Sequence, residues 1–262
     1  MLTRQEHMLN KASTFRARLS AGQALLGTFV KTPGVQAIEV LGDASLDFVV
    51  IDAEHAPWDR NAIDLAMLAA RASDIPALVR VERVEDILTA LDCGATGVMV
   101  PHVSSVQAAQ AAVNACRYRT GRRGFTNSSR AGGYGRLGLT AHVDENDART
   151  CLIAMLEDPE ALDAIDAIAA VEGIDAFFLG RGDLTVALGG SATDAPAVRA
   201  AIARFVSAVT AAKKPLCAFV NSSAEIPALR ELGINMFIMS SEQGLLRLAA
   251  TAEIHQFRAL TA

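Results

Sequence analysis

Apolar runs rich in β-branched residues recur along the chain at intervals of roughly 20 to 50 residues, each followed by a polar breaker and an alanine-rich stretch with helical spacing. They predict strands at 25–30, 47–52, 77–81, 97–103, 151–156, 176–180, 215–220 and 236–240. Helical spacing falls between them at 33–42, 59–72, 84–93, 104–115, 159–171, 196–212 and 223–232. The strand segments are continuously apolar instead of alternating, which marks strands covered on both faces, as in a parallel sheet wrapped by helices. Several helical segments open on Ser, Asp or an early Pro and close near Gly. A doubly wound open sheet shares this local pattern, but eight strand–helix units favour an α/β fold of the TIM-type (β/α)8 barrel. Met8, Ala12, Phe15 and Leu19 form a stripe on a leading helix placed to plug the barrel bottom. Leu246, Ala250, Ile254, Phe257 and Leu260 form another on a final helix that packs on its own barrel or a neighbour's.

Length and composition sharpen this picture. At 262 residues, 51% of them hydrophobic, the chain buries one large core, so residues 1–262 are expected to be a single domain. A formal net charge of −5 argues against nucleic acid as the main partner. Residues 1–20 mix charges with single apolar positions and do not read as a secretory signal, and no later run is long enough to cross a bilayer. Cys93, Cys116, Cys151 and Cys217 are widely spaced, as buried thiols in a reducing compartment would be. A cytoplasmic protein is expected, with no membrane partner.

The polar residues that close the apolar runs carry the candidate chemistry. Glu157 and Asp183 follow the predicted fifth and sixth strands. A carboxylate at the mouth of a buried strand is costly unless paired, protonated or bound to a cation, and barrel active sites lie at this end of the strands. Two carboxylates without Cys or clustered His suit a hard divalent ion, with positions left open for water and substrate oxygens. In Gly180-Arg181-Gly182-Asp183, two glycines in a strand-to-helix turn let backbone N–H groups approach an anion such as a substrate carboxylate. The Arg-Gly-Asp letters there are a coincidence with an adhesion motif. His55 follows the second strand, where general acid–base work competes with a purely structural role. Arg80 closes the third strand, where it meets either a substrate anion or the acids Asp52 and Glu54.

The arginine-rich stretch Arg117-Tyr118-Arg119-Thr120-Gly121-Arg122-Arg123-Gly124, continuing to Arg130 and Arg136, reads as a solvated, substrate-covering loop or a subunit contact. Gly133, Gly135 and Gly138 have the spacing of a dinucleotide fingerprint, but no buried strand precedes them, so a nicotinamide cofactor is not expected. Lys31, Lys213 and Lys214 end none of the predicted strands, which argues against imine chemistry.

With these residues in place, the chain resembles the HpcH/HpaI family of metal-dependent pyruvate aldolases over nearly its whole length. The likeness rests on Ile51-Asp52-Ala53-Glu54-His55-Ala56-Pro57, Val79-Arg80, Val100-Pro101, Cys116-Arg117-Tyr118 with Arg123-Gly124, Leu156-Glu157 and Gly180-Arg181-Gly182-Asp183-Leu184. The resemblance implies an aldolase that makes or cleaves 4-hydroxy-2-keto acids from pyruvate or a close analogue plus an aldehyde. Glu157 and Asp183 would be the ligands of Mg²⁺, Mn²⁺ or Co²⁺, and the turn from Gly180 to Gly182 the cradle of the keto-acid carboxylate. Arg80 would contact the keto oxygen. His55 would handle the aldol hydroxyl in a dyad with an aspartate of the adjacent subunit, whose place Asp92 occupies. The resemblance further implies a final helix exchanged between subunits and a homohexamer built from dimers.

Two positions depart from that pattern. Met155 stands where many relatives carry glutamine, and Arg181-Gly182 where many have Pro followed by Ala or Ser. The first puts a strict pyruvate preference in question. Arg181 either reaches an anionic substrate group or points into solvent. The alternatives are a citrate or acyl-CoA lyase or synthase of the same superfamily, and a non-catalytic keto-acid-binding barrel.

Overall fold

The computed structural model describes residues 11–261. Eight parallel strands close into a barrel in sequence order, β1 pairing with β2 and so on round to β8, which returns to β1. They are β1 (Leu25–Val30), β2 (Phe48–Asp52), β3 (Ala77–Arg80), β4 (Gly97–Val100), β5 (Cys151–Leu156), β6 (Ala176–Leu179), β7 (Leu216–Val220) and β8 (Ile234–Ser241). The expected barrel is therefore present, with each predicted strand in place to within a few residues.

The helices are α1 (Lys11–Ser20), α2 (Val35–Asp43), α3 (Arg60–Ala72), α4 (Ile87–Asp92), α5 (Val106–Cys116), α6 (Leu139–Arg149), α7 (Ala161–Ala169), α8 (Arg181–Ala187), α9 (Pro196–Ala211), α10 (Ile226–Glu231) and α11 (Glu242–Thr261). Their starts follow local chemistry where the sequence offers it. Asp59 accepts the Ala62 N–H ahead of α3, and Ser105 accepts the Ala108 N–H ahead of α5. The predicted segments 84–93 and 223–232 each open as a 3₁₀ turn before continuing as α4 and α10. Helix α6 was not anticipated because two of the three residues it buries, His142 and Asn146, are polar, so it shows no apolar stripe.

Strand alternation divides the core in two. Phe29, Phe48, Val50, Leu78, Met99, Ile153, Met155, Phe178 and Ile238 fill the barrel interior, while Val49, Ile51, Val79, Val98, Leu152 and Phe177 pack among the helices. Gly27 admits the interior Phe48 ring, which a Cβ there would meet at 2.5 Å. Below the barrel, α1 buries Phe15 and Leu19, with the Phe15 ring 5.5 Å from that of Phe48. Each of these two side chains contributes about 1.5–3 kcal/mol by leaving water. The leading helix is thus the expected plug, although Met8 of its proposed stripe lies outside the described residues. The final helix differs: its first turn is tied to the exit of β1, where Glu242 accepts the Lys31 and Thr32 N–H groups, but no residue of α11 is buried and Leu246, Ile254, Phe257 and Leu260 are exposed, so its own barrel does not cover the apolar stripe.

Cys93, Cys116, Cys151 and Cys217 are buried and free, as expected. Among the described residues no helix is long and apolar enough to cross a membrane.

Candidate active site

The inward parity of each strand, carried past its C-terminal end, delivers the polar groups of the barrel mouth. Leu25, Gly27 and Phe29 lead to Lys31; Phe48 and Val50 to Asp52; Leu78 to Arg80; Ile153 and Met155 to Glu157; Phe178 to Gly180; Ile238 to Ser240. A cavity of about 740 Å³ opens there, with Lys31, Arg80, Met155, Gly180 and Asp183 in its wall and Phe29, Phe178 and Phe219 as its apolar lining.

Asp52 has no exposed surface and anchors one side of this mouth. It accepts from Arg80 Nε at 2.9 Å and Nη2 at 2.8 Å, a two-pronged pair, and lies 3.1 Å from Lys31 Nζ. Burial pushes the Asp52 carboxyl upward, but hydrogen bonds and charge from Arg80 and Lys31 outweigh it and hold the group below the ordinary carboxylate value. Arg80 is also 3.2 Å from Glu54 Oε2 through Nη1, and its guanidinium lies over the Phe29 ring at 4.7 Å. The acids considered as partners for Arg80 are therefore both engaged with it. This pairing coexists with its place in the cavity wall.

Lys31 corrects the lysine argument made from sequence. It directly follows β1 and lines the cavity, so a lysine does stand at the mouth. Its ammonium is paired with Asp52, which holds the nitrogen against the buried carboxylate.

Glu157, one residue beyond β5, is 2% exposed. Oε1 accepts the His102 backbone N–H at 2.9 Å, while Oε2 is buried without a hydrogen-bond partner. Burial, opposed by His102 and reinforced by the charges of Asp183 and Glu54, pushes this carboxyl up to about 7. Gly180 makes the arrangement possible, since a Cβ there would stand 2.4 Å from Glu157 Cβ and 2.6 Å from Oε2. Asp183 sits exposed in the first turn of α8 and lines the cavity. Leu156 and Leu179 are register partners on β5 and β6, which places the two acids on adjacent strand exits. A buried, partnerless carboxylate oxygen beside a second carboxylate fits a hard divalent cation, which commonly takes one or two protein carboxylates and completes its shell with water and substrate oxygens. Among the described residues no group of three or more His, Cys, Asp or Glu forms a fuller cage.

A second rim of the mouth lies between β2 and β4. The Glu54 carboxylate has an imidazole on either side: His55 Nε2 is 3.6 Å from Oε2, and His102 Nε2 is 3.8 Å from Oε1. Both histidine side chains are more than half exposed. His55 also donates its backbone N–H to Asp52 at 3.2 Å. His102 Nδ1 meets Asp158 Oδ1 at 3.0 Å. Burial works against its charge, but the bond to Asp158 and the fields of Glu157, Asp158 and Glu54 prevail and raise its pKa. Neither His102 nor Asp158 was singled out from sequence. A His directly after Val100-Pro101 at a strand exit was the available signal.

The remaining expected residues fall as follows. The Arg181 guanidinium is not free in solvent: it donates to the Phe219 carbonyl at 2.6 Å and to Glu225 Oε2 at 2.7 Å. Gly182 is exposed, with open space where a Cβ would point. Asp92 ends α4, which runs from the mouth back to the barrel base, and it pairs there with Arg123 at 3.2 Å. Within one chain it does not join His55.

The arginine-rich segment does not cover this mouth. Arg117 donates to the Thr150 carbonyl at 2.7 Å and to Asp175 at 2.9 Å, beside the N-terminal ends of β5 and β6, and the Arg123 side chain has no exposed surface. Helix α5 returns the chain to the barrel base before the segment begins, so the substrate-covering loop expected from its composition is instead partly buried structure beneath the barrel.

The pattern of the HpcH/HpaI aldolase/citrate lyase family matches residues 25–245. A hydroxypyruvate/pyruvate aldolase of Roseobacter denitrificans is 34% identical over 242 residues, covering 89% of this chain and 93% of that protein. A crystal structure of an HpcH/HpaI aldolase/citrate lyase family protein from Burkholderia cenocepacia superposes with a TM-score of 0.89 at 28% identity, covering 94% of this chain and 99% of the other. A citrate synthase structure superposes with a TM-score of 0.85 at 30% identity, covering 94% and 98%. The strand-exit residues of this barrel thus fall within a shared family pattern, and the chain belongs to the HpcH/HpaI aldolase/citrate lyase family of carbon–carbon lyases.

Proposed function

We propose that the protein is a divalent-cation-dependent aldolase that makes or cleaves 4-hydroxy-2-keto acids, with pyruvate or a close analogue as the enolate donor and an aldehyde as its partner. The observation that carries the cation assignment is the Glu157 carboxylate, held at Oε1, buried and partnerless at Oε2, and adjacent to Asp183. A Mg²⁺, Mn²⁺ or Co²⁺ ion held by these two acids would supply Lewis-acid polarisation of the keto carbonyl.

The protein's own residues do the rest. Arg80, fixed by Asp52, keeps a positive charge in the cavity wall where negative charge develops on the substrate oxygen, an effect commonly worth about 3 kcal/mol of barrier. The Gly180 N–H is engaged with the Leu156 carbonyl at 3.0 Å, so the backbone N–H groups of Arg181 and Gly182, at the start of α8, are the ones offered to the keto-acid carboxylate. His55 accepts the hydroxyl proton as the carbon–carbon bond breaks and returns it in synthesis. Asp92, at the barrel base, completes the His55 dyad from an adjacent subunit. The uncovered apolar face of α11 supports exchange of that helix in a homo-oligomer, read as a hexamer of dimers. The four buried free thiols support a cytoplasmic location.

Met155 and three phenylalanines give the cavity an apolar side, which supports acceptance of donors other than pyruvate itself. The likeness to a citrate synthase favours a second reading, condensation onto an oxaloacetate-like acceptor. A panel of 4-hydroxy-2-keto acids assayed for pyruvate or hydroxypyruvate release, with each cation and with chelator, separates the two. Cation-dependent release supports the aldolase. Absence of release from every member, together with citrate formation, would replace it with the synthase.

A further inference from the structure

We infer that His102 is a positioning residue for Glu157. It selects which carboxylate oxygen faces the cation and keeps the neighbouring Asp158 out of the site. The inference rests on the reading of Glu157 as a cation ligand.

The backbone carries the first part. Residue 102 follows β4 and has φ 54, in the left-handed region that a non-glycine residue seldom occupies. This conformation turns its N–H to Glu157 Oε1 at 2.9 Å, while the next residue, Val103, donates its N–H to the Met155 carbonyl on β5 at 3.2 Å. The exits of β4 and β5 are thereby joined through two successive amides, those of His102 and Val103. Because Oε1 is occupied by this amide, Oε2 is the oxygen left without a partner.

The side chain carries the second part. Asp158 follows Glu157 directly, and a free carboxylate there would compete for the same cation or repel its neighbour. His102 Nδ1 instead holds Asp158, at 3.0 Å from Oδ1 and 3.3 Å from Oδ2. The opposite ring nitrogen lies 3.8 Å from Glu54 across the mouth. One imidazole thus spans acids from the exits of β2 and β5, and the same contacts hold its own backbone in the strained conformation.

The test is Mn²⁺ binding to the cation-free full-length protein, followed by electron paramagnetic resonance of the free ion, in wild type, His102→Ala, His102→Gly and Glu157→Gln. His102→Ala is expected to weaken binding by about tenfold or more, the usual scale for residues that orient a ligand. His102→Gly, which adopts positive φ without strain and so retains the amide donor, is expected to recover part of that loss. Relief of strain alone would rank Gly above Ala in stability too, so thermal unfolding of each variant is measured alongside, and binding is compared where every variant is fully folded. If His102→Ala binds Mn²⁺ as wild type does while Glu157→Gln does not, the role of His102 is overturned. Equal weakening in the Ala and Gly variants overturns the part assigned to the backbone. Unchanged binding in Glu157→Gln overturns the cation reading itself.

Discussion

Replacing Glu157 with Gln tests the energetic cost of holding a buried carboxylate ready for a cation. The substitution keeps an oxygen to accept the His102 N–H, removes the ability to ionise and puts an amide NH₂ in place of the other oxygen. Raising the carboxyl from 4.5 to about 7 corresponds to roughly 3 kcal/mol of penalty on the ionised folded form. The folded protein binds this proton more tightly than the unfolded chain, so the resulting stabilisation is complete below about 4.5 and is lost as pH rises through about 7. His102, whose pKa is also raised, loses stability in the same direction, so the subtracted curves retain one sign. With chelator present, wild-type stability relative to Glu157→Gln should fall by roughly 2–3 kcal/mol between pH 5 and pH 8. In melting temperature this is about 4–12 °C for a domain of this size. Urea unfolding followed by circular dichroism at several pH values measures the difference. The constant cost of any unsatisfied amide cancels, because only the change with pH is read. Mn²⁺ at pH 8 should stabilise wild type and leave Glu157→Gln unaffected. Parallel pH curves for the two proteins would refute the reasoning, since they would mean that Glu157 ionises as easily in the barrel as in water.

Gly180→Ala places a Cβ 2.4 Å from Glu157 Cβ on a backbone whose φ of −78° tolerates alanine, so the displacement falls on the carboxylate. Mn²⁺ affinity should drop by about 10–100-fold, which calorimetry would measure, with a stability loss of about 1–3 kcal/mol. His55→Ala should reduce aldol cleavage by about 10²–10⁴-fold while sparing oxaloacetate decarboxylation, which has no hydroxyl to deprotonate; equal loss in both assays counts against the assigned role. Treatment with pyruvate and borohydride should leave the mass of the protein unchanged, because Lys31 is paired with Asp52; an adduct on Lys31 would establish imine chemistry.

The strand pattern was readable because closing a barrel imposes the same burial on every strand, and continuous runs such as Phe48–Asp52 record it directly. The placement of Glu157 at a strand exit was readable for a related reason, since it directly closes a fully buried run. Asp183 stands further on, exposed in the first turn of α8, and adjacent runs bring the two exits together. Composition misled at Arg117 and Arg123, since arginine usually signals solvent, as it does for the exposed Arg119, Arg122 and Arg136 of the same stretch. Here Arg117 meets Asp175 and the Thr150 carbonyl, and Arg123 meets Asp92 beneath the Tyr118 ring. Those partners are distant in sequence, so nothing local announces the burial. Helix α6 was missed through the same blindness to polar core positions.

The residues that escaped notice at the mouth mark where one-dimensional reasoning ends. Lys31 sits a single position past β1, and counting inward parity through Leu25, Gly27 and Phe29 would have found it. His102 could not be found this way, because its part depends on a left-handed residue that links two strand exits, and that conformation arises only when β4 and β5 lie side by side. Asp92 represents a further step. Its helix must run back to the base in any barrel of this topology, so no rearrangement of a single intact barrel carries it to His55. A dyad between them therefore requires a second chain, so under the proposed dyad hydroxyl-dependent cleavage per protein molecule should fall on dilution while Mn²⁺ binding at Glu157 and Asp183 stays intact.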